Sequence, residues 1–475
     1  MNDTTIIFNP SSECSSNLQC RCLTISAYQW SLIRTFDVSS QQLAIDESLF
    51  KMLANVWSIN LSSTKLPLSF SKWLTTTTSI RHLNLSSAIL TISKWEWCAE
   101  NLEWLDISKM SLRYLAISSN CKLRYLNANN NVLESVFLAS TTLEIVLLEH
   151  NRLKSWPVPP TGIALTRLHT LSLTNNQIDY LPDGALVHYP QLQNLDISRN
   201  ILCNLSVASF PSIGMQIRSL NVSHNRLATF VHPVLPSLLL LDLSHNSLVS
   251  LDSDLLAGLP LLQHFYLNSN VEIFSQCHQT CWLNALIQML NLVELNLSNC
   301  QLSRVPDLSP FEALRRLDLS RNKLTTIDGY ILPKGLQRLD VSQNHIHTLT
   351  NFSVEKLTSL QELDISRNPL LCECTLAELI PLFDAQKLNN ADLYYCFSGS
   401  WQYPLRSYID NVHSCIHSTS QLLTVLLNAI FILMITFTMF IFITFLLCRY
   451  RIHQTIFIPF KYTPLTMSDA NAVDL

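Results

Sequence analysis

The chain has 475 residues, a formal net charge of -4 and only 14% charged residues. Since no basic stripe of adequate density is present, this composition argues against a nucleic-acid partner. Only 7 glycines occur, and the sequence contains no glycine-rich phosphate loop, G-x-S-x-G motif or H-E-x-x-H motif. We therefore expect neither an enzyme nor a cofactor-binding protein.

Residues 1–32 precede the first regular element and contain Cys14, Cys20 and Cys22. The opening stretch MNDTTIIFNPSSEC has neither a basic n-region nor an apolar h-region, so the sequence predicts no secretory signal. An incomplete gene model is the favoured interpretation, and insertion directed by a later apolar helix is the alternative. The pairing of these cysteines stays open.

A short pattern, L-x-x-L-x-L-x-x-N-x-L, recurs about fifteen times over residues 33–369. Clean copies begin at Leu168, Leu238, Leu314 and Leu336, and the pattern is the leucine-rich repeat signature. Its L-x-L alternation predicts a short strand in each repeat, and stacked repeats bury the apolar side of those strands. The predicted fold is an α/β leucine-rich-repeat solenoid, a horseshoe with a parallel concave sheet, cysteine-rich caps and one transmembrane helix.

The Asn of the pattern falls where the chain turns inward and its buried backbone groups need partners. We therefore predict a buried column of amides along the solenoid. Cys300 replaces Asn in this column and is interpreted as a buried structural thiol, while Gln41, Thr64 and Ala88 mark three less regular early repeats. The column consists of Asn131, Asn151, Asn176, Asn200, Asn225, Asn246, Asn270, Asn322, Asn344 and Asn368.

Residues 422–448 form an apolar stretch without a charged residue, long enough to cross a bilayer as one helix. Arg449, Arg451 and Lys461 follow it, so the positive-inside rule places a tail of residues 449–475 in the cytoplasm and the repeats outside. The predicted localisation is that of a single-pass type I protein of the plasma membrane or endosome.

Four cysteines, Cys372, Cys374, Cys396 and Cys415, follow the last repeat, in residues 370–415. An exposed solenoid end must be capped, and the stretches NPLLCECTLAELI, LYYCFSGSW and HSC resemble the carboxy-terminal cysteine cap of Toll-like receptors. That resemblance implies a Cys372 to Cys396 and a Cys374 to Cys415 disulfide. A zinc site is the competing interpretation and is disfavoured outside the cell.

The repeats, the terminal cap and the apolar helix together resemble the ectodomain and membrane anchor of a Toll-like receptor. Cys14, Cys20 and Cys22 resemble an amino-terminal cap in which Val38 occupies the place of the family's fourth cysteine. The 28 residues from Cys448 onward are too few for the family's cytoplasmic signalling domain, which we therefore expect to be missing.

Two further cysteine pairs are predicted to form disulfides. Cys98 and Cys121 lie just before adjacent repeats, which would bring them together on the convex side. Cys277 and Cys281 lie in the longest repeat interval, where a disulfide-tied excursion is favoured over a Cys-His metal site. Its aromatic residues, Phe274 among them, would form either a second contact region or local core.

The strand side chains that point away from the core are the candidate binding residues, and an ordinary solvated face is the alternative. The candidates are Tyr125, Asn127, Asn129, Glu149 and His150 in the middle repeats and His264, Tyr266, Arg316 and Arg338 in the later ones. The recurring Asp196, Asp242, Asp318, Asp340 and Asp364 belong to the L-D-L-S consensus, so we expect a ladder along the sheet rather than a carboxylate site.

Several positions are candidates for modification or sorting. Tyr462 and Leu465 fit the Y-x-x-Φ endocytic pattern, and Cys448 at the inner membrane edge is a palmitoylation candidate. The glycosylation sequons are Asn204 and Asn351, which lie beyond their strands, and Asn60, Asn84, Asn221 and Asn296, which lie within them.

The resemblance implies a single-pass receptor-like protein that binds a protein or microbial ligand, or pairs with a Toll-like receptor ectodomain, in innate immune recognition. Without its own signalling domain it would act as a co-receptor or decoy. The alternatives are a leucine-rich-repeat cell-adhesion protein and a truncated model of a full Toll-like receptor. No cofactor, metal ion or nucleic acid is predicted.

Overall fold

The computed structural model describes residues 4–7, 33–39, 50, 53, 55–210, 215–230, 234–250, 258–274, 286, 289–350, 357–373, 376, 379 and 393–455. The chain forms two compact units, Met1–Tyr408 and Ile409–Leu475.

Among the described residues, the amino-terminal half contains strands and a short helix. They are β1 (Thr4–Ile7), β2 (Ile33–Asp37), β3 (Ser58–Asn60), α1 (Ser69–Thr76), β4 (His82–Asn84), β5 (Lys94–Trp95), β6 (Trp104–Asp106), β7 (Tyr114–Ile117), β8 (Tyr125–Asn127), β9 (Ser135–Leu138), β10 (Ile145–Leu147), β11 (Thr170–Ser172), β12 (Asn194–Asp196) and β13 (Ser219–Asn221).

The carboxy-terminal half continues the strands and ends in a long helix. Its elements are β14 (Leu240–Asp242), β15 (His264–Tyr266), β16 (Glu294–Asn296), β17 (Arg316–Asp318), β18 (Thr326–Asp328), β19 (Arg338–Asp340), β20 (Thr348–Thr350), β21 (Glu362–Asp364), β22 (Leu370–Leu371), β23 (Tyr395–Ser398), β24 (Trp401–Pro404) and α2 (Leu405–Thr455). Short 3-10 helices lie at Ala185–His188, Val207–Ser209 and Gly329–Ile331.

One 16-stranded sheet runs along the solenoid in the order β1-β2-β3-β4-β6-β8-β10-β11-β12-β13-β14-β15-β16-β17-β19-β21. Neighbouring strands are parallel and, from β2 onward, in register; Leu105 of β6, for example, stands opposite Leu126 of β8, and Leu126 stands opposite Val146 of β10. In β6, β8 and β10 the central residue is buried while its neighbours are part-exposed; in β11 and β21 the residue after the centre, Ser172 or Asp364, is buried as well. The predicted leucine-rich-repeat solenoid with a parallel sheet is confirmed.

The predicted column of buried amides is present behind this sheet. The Oδ1 atom of Asn131 accepts the backbone N–H groups of Met110 and Leu112, each at 3.0 Å, and its Nδ2 atom donates to the carbonyl of Ile107 at 2.9 Å. Cys300 is fully buried in the same column. Each amide therefore satisfies backbone groups that the turn would otherwise leave unpaired.

The early repeats depart from this arrangement, as the sequence predicts. Thr64 is buried and its hydroxyl donates to the carbonyl of Leu61 at 2.7 Å, while Ala88 is buried and has no polar side chain to contribute. Met110 takes the column position in the next repeat and is also buried. Gln41 lies outside the described residues.

Two smaller parallel sheets lie outside the long one, and the sequence did not indicate them. They contain β5-β7-β9 and β18-β20. A disulfide joins Cys98 to Cys121 beside the first of these sheets, with a Cα–Cα distance of 5.7 Å. The sequence places both cysteines just before adjacent repeats, and in the structure the two are joined.

The end of the repeat unit is closed by the sheet β22-β23-β24. A disulfide between Cys372 and Cys396, with a Cα–Cα distance of 5.0 Å, ties it to the last repeat, and Leu370 and Cys396 are buried in it. Cys374 lies outside the described residues, and of Cys415 only the backbone, within α2, is described. Helix α2 begins at Leu405, within the predicted cap of residues 370–415.

The long helix α2 contains the apolar stretch of the sequence. Its segment Val425–Leu447 is 23 residues long, with a mean hydropathy of 2.8, and none of it is buried. Among the described residues it is the one helix whose length and composition suit a bilayer. Transfer of such side chains from water to an apolar surrounding is favourable.

Candidate binding surface

Two rows of side chains line the concave sheet. The first strand row consists of the residue just before the buried centre of each strand, such as Trp104, Tyr125 and Ile145; the second strand row consists of the residue just after it, such as Asp106 and Asn127. Because the strands are in register, residues of one row stand side by side along the solenoid, about 4.8 Å apart.

The second strand row is largely occupied by its own hydrogen bonds. The Oδ1 atom of Asp106 accepts the backbone N–H of Ser108 at 2.9 Å, and its Oδ2 atom accepts the side-chain amide of Asn127 at 2.9 Å. Asp196 and Asn221 form the same cross-strand bond at 3.1 Å. The recurring aspartates therefore close the turn after each strand and form the ladder that the sequence indicated.

The first strand row is aromatic in the early repeats. The rings of Trp104 and Tyr125 stack with centroids 5.1 Å apart and planes 3° apart. Burial, followed by the charges of Asp106 and Glu149, raises the pKa of Tyr125. Since aromatic side chains contribute much of the binding energy at protein interfaces, this pair is a candidate apolar anchor on the concave side.

The remaining candidates of the middle repeats are linked to one another. The Oδ1 atom of Asn129 accepts the backbone N–H of Glu149 at 2.7 Å, and the Oε1 atom of Glu149 accepts the Ser172 hydroxyl at 2.8 Å. The Nδ1 atom of His150 contacts the side-chain amide of Asn175. The side chains of these candidates are thus already engaged in hydrogen bonds within the repeats, as is that of Asn127.

In the later repeats the candidates converge on Glu294, which sequence reasoning missed. Its Oε2 atom lies 3.1 Å from the Nδ1 atom of His264 and 3.2 Å from the Nη1 atom of Arg316. Burial, followed by the charge of Glu294 and a hydrogen bond to it, raises the pKa of Tyr266 to about 12. A second pair, Arg338 with Glu362, has an N–O distance of 3.0 Å.

The last repeats also carry the row of Asp318, Asp340 and Asp364, which stand opposite one another on adjacent strands. They help to line a shallow cavity of about 250 Å³. Burial raises the pKa of Asp340 although Ser342 donates hydrogen bonds to it, and the charges of Asp318 and Asp364 act in the same direction as burial. Within the described part of the chain, no group of three His, Cys, Asp or Glu residues could hold a metal ion.

The sequons fall on two kinds of surface. Asn204 is exposed beyond its strand, whereas Asn60, Asn84, Asn221 and Asn296 belong to the second strand row, and each accepts a backbone N–H through its side-chain oxygen. The predicted site residues that lie outside the described residues are Asn351, Cys14, Cys20, Cys22, Cys277, Cys281, Tyr462 and Leu465. Of Cys448 only the backbone, in α2, is described.

Comparison with known proteins agrees with this architecture. The leucine rich repeat family model matches residues 141–202, 166–227 and 312–370, and a two-copy leucine rich repeat model matches residues 290–332. Rat lumican is 31% identical over 252 residues, which cover 51% of this chain and 70% of lumican. The chain belongs to the leucine-rich-repeat proteins.

Toll-like receptors are among its other relatives. Human Toll-like receptor 9 is 31% identical over 186 residues, which span 36% of this chain and 18% of the receptor. The crystal structure of the TLR13-ssRNA13 complex superposes with a TM-score of 0.59 at 19% identity, covering 81% of this chain and 65% of that one. The Toll–Spatzle complex of Drosophila gives 0.53 at 21% identity, with 77% and 56% covered. These two structures share the fold.

Proposed function

We propose that this chain is a cell-surface, receptor-like protein that binds a protein or microbial partner on the strand rows of its concave sheet. Two features of one chain carry the proposal. The first is a 16-stranded sheet whose outward rows remain largely part-exposed, and the second is the unburied apolar segment Val425–Leu447. The sheet offers far more surface than a standard protein interface needs.

The proposed orientation puts the repeats outside and the tail inside the cell. Arg449, Arg451 and Lys461 follow the apolar segment, and cytoplasmic flanks carry such an excess of positive charge. Glycosidase treatment should then reduce the apparent mass, and protease added to intact cells should remove the repeats. Protease resistance of the repeats on intact cells would contradict the orientation.

The proposed setting is innate immune recognition, with the chain acting as a co-receptor or decoy that holds a ligand or pairs with a Toll-like receptor ectodomain. The similarity to human Toll-like receptor 9 supports this setting. A co-receptor or decoy alters the signalling of another receptor only if it binds one state of that receptor, or of its ligand, more tightly than the other state.

Coexpression with an intact Toll-like receptor tests this function. The full chain should change the response of that receptor, and replacing Trp104 and Tyr125 by Ala should abolish the change, because the substitutions remove the stacked pair. Tyr180→Ala is the matched control, since Tyr180 is 57% exposed and lies outside the sheet. An equal effect from the double variant would refute binding at the strand rows.

A second candidate is a matrix or adhesion protein. It is favoured by the match to rat lumican, which covers 70% of that protein against 18% of human Toll-like receptor 9. The two candidates differ in where the full chain is found. Recovery from the culture medium or the matrix, with none in the membrane fraction, would support the second candidate and contradict the first.

A further inference from the structure

A third row of side chains, the edge row, follows the second strand row by three residues. Each of its members has a positive φ, and the backbone N–H of one donates to the following repeat, as from Arg199 to Ser223 and from His224 to Ser244, both at 2.9 Å. The edge row consists of Ser63, Ser87, Lys109, Asn130, His150, Asn175, Arg199, His224, His245, Ser269, Asn299, Arg321, Gln343 and Arg367.

The edge row contains no acidic residue. Lys109, Arg199, Arg321 and Arg367 are all exposed, and within the described part of the chain none of them forms an ion pair. The strand arginines differ in this respect.

The strand arginines are Arg316 and Arg338, in the first strand row, and Arg81 and Arg124, each one residue before a strand. Each has a glutamate partner in a neighbouring repeat; for Arg81, Arg124, Arg316 and Arg338 the N–O distances are 3.8, 2.9, 3.2 and 3.0 Å. Positive charge that is free to meet an external anion is therefore concentrated on the edge row rather than on the strand rows.

Side chains of the edge row lie close enough to act on one ligand together. The rings of His224 and His245 stack with centroids 4.0 Å apart and planes 8° apart. Burial lowers the pKa of His224, and the charges of His245 and Arg199 lower it further, whereas the charge of Asp242 raises it. Successive repeats thus bring positive and protonatable groups into one line.

The chemistry of the row selects among anionic ligands. Sequence-independent binding of single-stranded nucleic acid uses aromatic platforms for the bases, and the edge row has no aromatic side chain besides its imidazoles. Its serines, asparagines and glutamine are hydrogen-bonding groups suited to sugar hydroxyls. The second strand row, with its aspartates, runs alongside the edge row and would repel a polyanion wide enough to reach it. A narrow, linear polyanion could bind the edge row without meeting this repulsion.

We propose that the edge row binds a linear sulfated polysaccharide of the heparin class. The arginines and the lysine would hold sulfate groups through charge-assisted hydrogen bonds, and the amides would contact the sugar hydroxyls between them. The site is separate from the strand rows, so its failure and the failure of the proposed function are distinguishable.

Heparin affinity of the full chain in detergent micelles tests the site. The triple variant Arg199→Gln, Arg321→Gln and Arg367→Gln should bind heparin at least about tenfold more weakly, with a shallower salt dependence. Gln343 already occupies this row, so glutamine suits the backbone there. The matched control is Arg81→Gln, Arg124→Gln and Arg338→Gln, which removes the same charge from positions in or beside the first strand row and should change affinity less than about twofold.

Competition identifies the ligand class. Unlabelled heparin should displace the bound heparin, whereas desulfated heparin and single-stranded DNA of equal charge should not. Equal losses in the two triple variants, or displacement by the DNA at equal charge, would overturn the proposal. If the edge variant unfolds at a lower temperature than the control, the double variant Arg321→Gln and Arg367→Gln provides the same comparison.

Discussion

The side-chain oxygen of Asn322 accepts the backbone N–H of Cys300 at 2.9 Å, so the one thiol in the buried column is held by the amide of the next repeat. The same oxygen accepts the N–H of Leu302 at 3.0 Å, and the Nδ2 atom donates to the carbonyls of Leu297 and Leu319, each at 2.9 Å. One side chain thereby satisfies backbone groups of consecutive repeats, which no apolar residue could do.

Asn322→Ala should lower the free energy of unfolding by about 3 to 5 kcal/mol, because buried backbone donors at Cys300 and Leu302 lose their acceptor and each costs roughly 1 to 3 kcal/mol. Denaturant unfolding of the full chain in micelles measures the change. Asn194→Ala is the control: Asn194 is exposed and donates to the Thr170 hydroxyl at 3.3 Å, so its loss should cost about 0.5 kcal/mol or less. Equal effects would refute the role of the column.

Cys300→Asn should stabilise the chain by about 1 kcal/mol, the size of other consensus substitutions. The thiol contacts the carbonyls of Leu267 and Ser298 at 3.5 and 3.4 Å, where an amide would donate stronger hydrogen bonds. Burial raises the pKa of Cys300 to about 12, so the thiol is neutral and the exchange removes no charge. A lower melting temperature for the variant would show that the site is shaped for sulfur.

Cys396→Ser should destabilise the repeat unit by about 2 to 5 kcal/mol and reduce the amount of protein at the cell surface. Cys396 is fully buried and joined to Cys372, so the substitution opens the end of the core and leaves a free thiol. Cys203→Ser is the control, because Cys203 is exposed and unpaired. Surface biotinylation measures both variants, and normal surface levels of Cys396→Ser would contradict a structural role for the cap.

The sequence predicts the parts of the fold that recur. The leucine spacing predicts the long sheet, and the one Asn in most repeats predicts the buried column. Both could be predicted because successive repeats make these contacts in the same way. The sheet β5-β7-β9 was not predictable because the residues between repeats follow no period. Glu294 was missed because its partners, His264 and Arg316, are 30 and 22 residues away in sequence and meet it only through strand register.

Asp340→Asn should raise the free energy of unfolding at pH 7 by about 0.5 kcal/mol, with a smaller gain below pH 4. Burial raises the pKa of Asp340 in the folded chain above the usual value of 3.8. The contribution of this carboxyl to folding stability is therefore fully present below its unfolded pKa and is lost as the pH rises through its pKa in the folded chain. Asparagine keeps the acceptor that Ser342 uses at 2.9 Å and removes the repulsion from Asp318 and Asp364. Urea unfolding of the full chain in micelles at pH 7 and pH 3.5 measures the difference. Asp307→Asn is the control, because exposed Asp307 accepts the same bond from Ser309 at 2.9 Å; a gain at Asp340 that does not depend on pH would contradict the explanation.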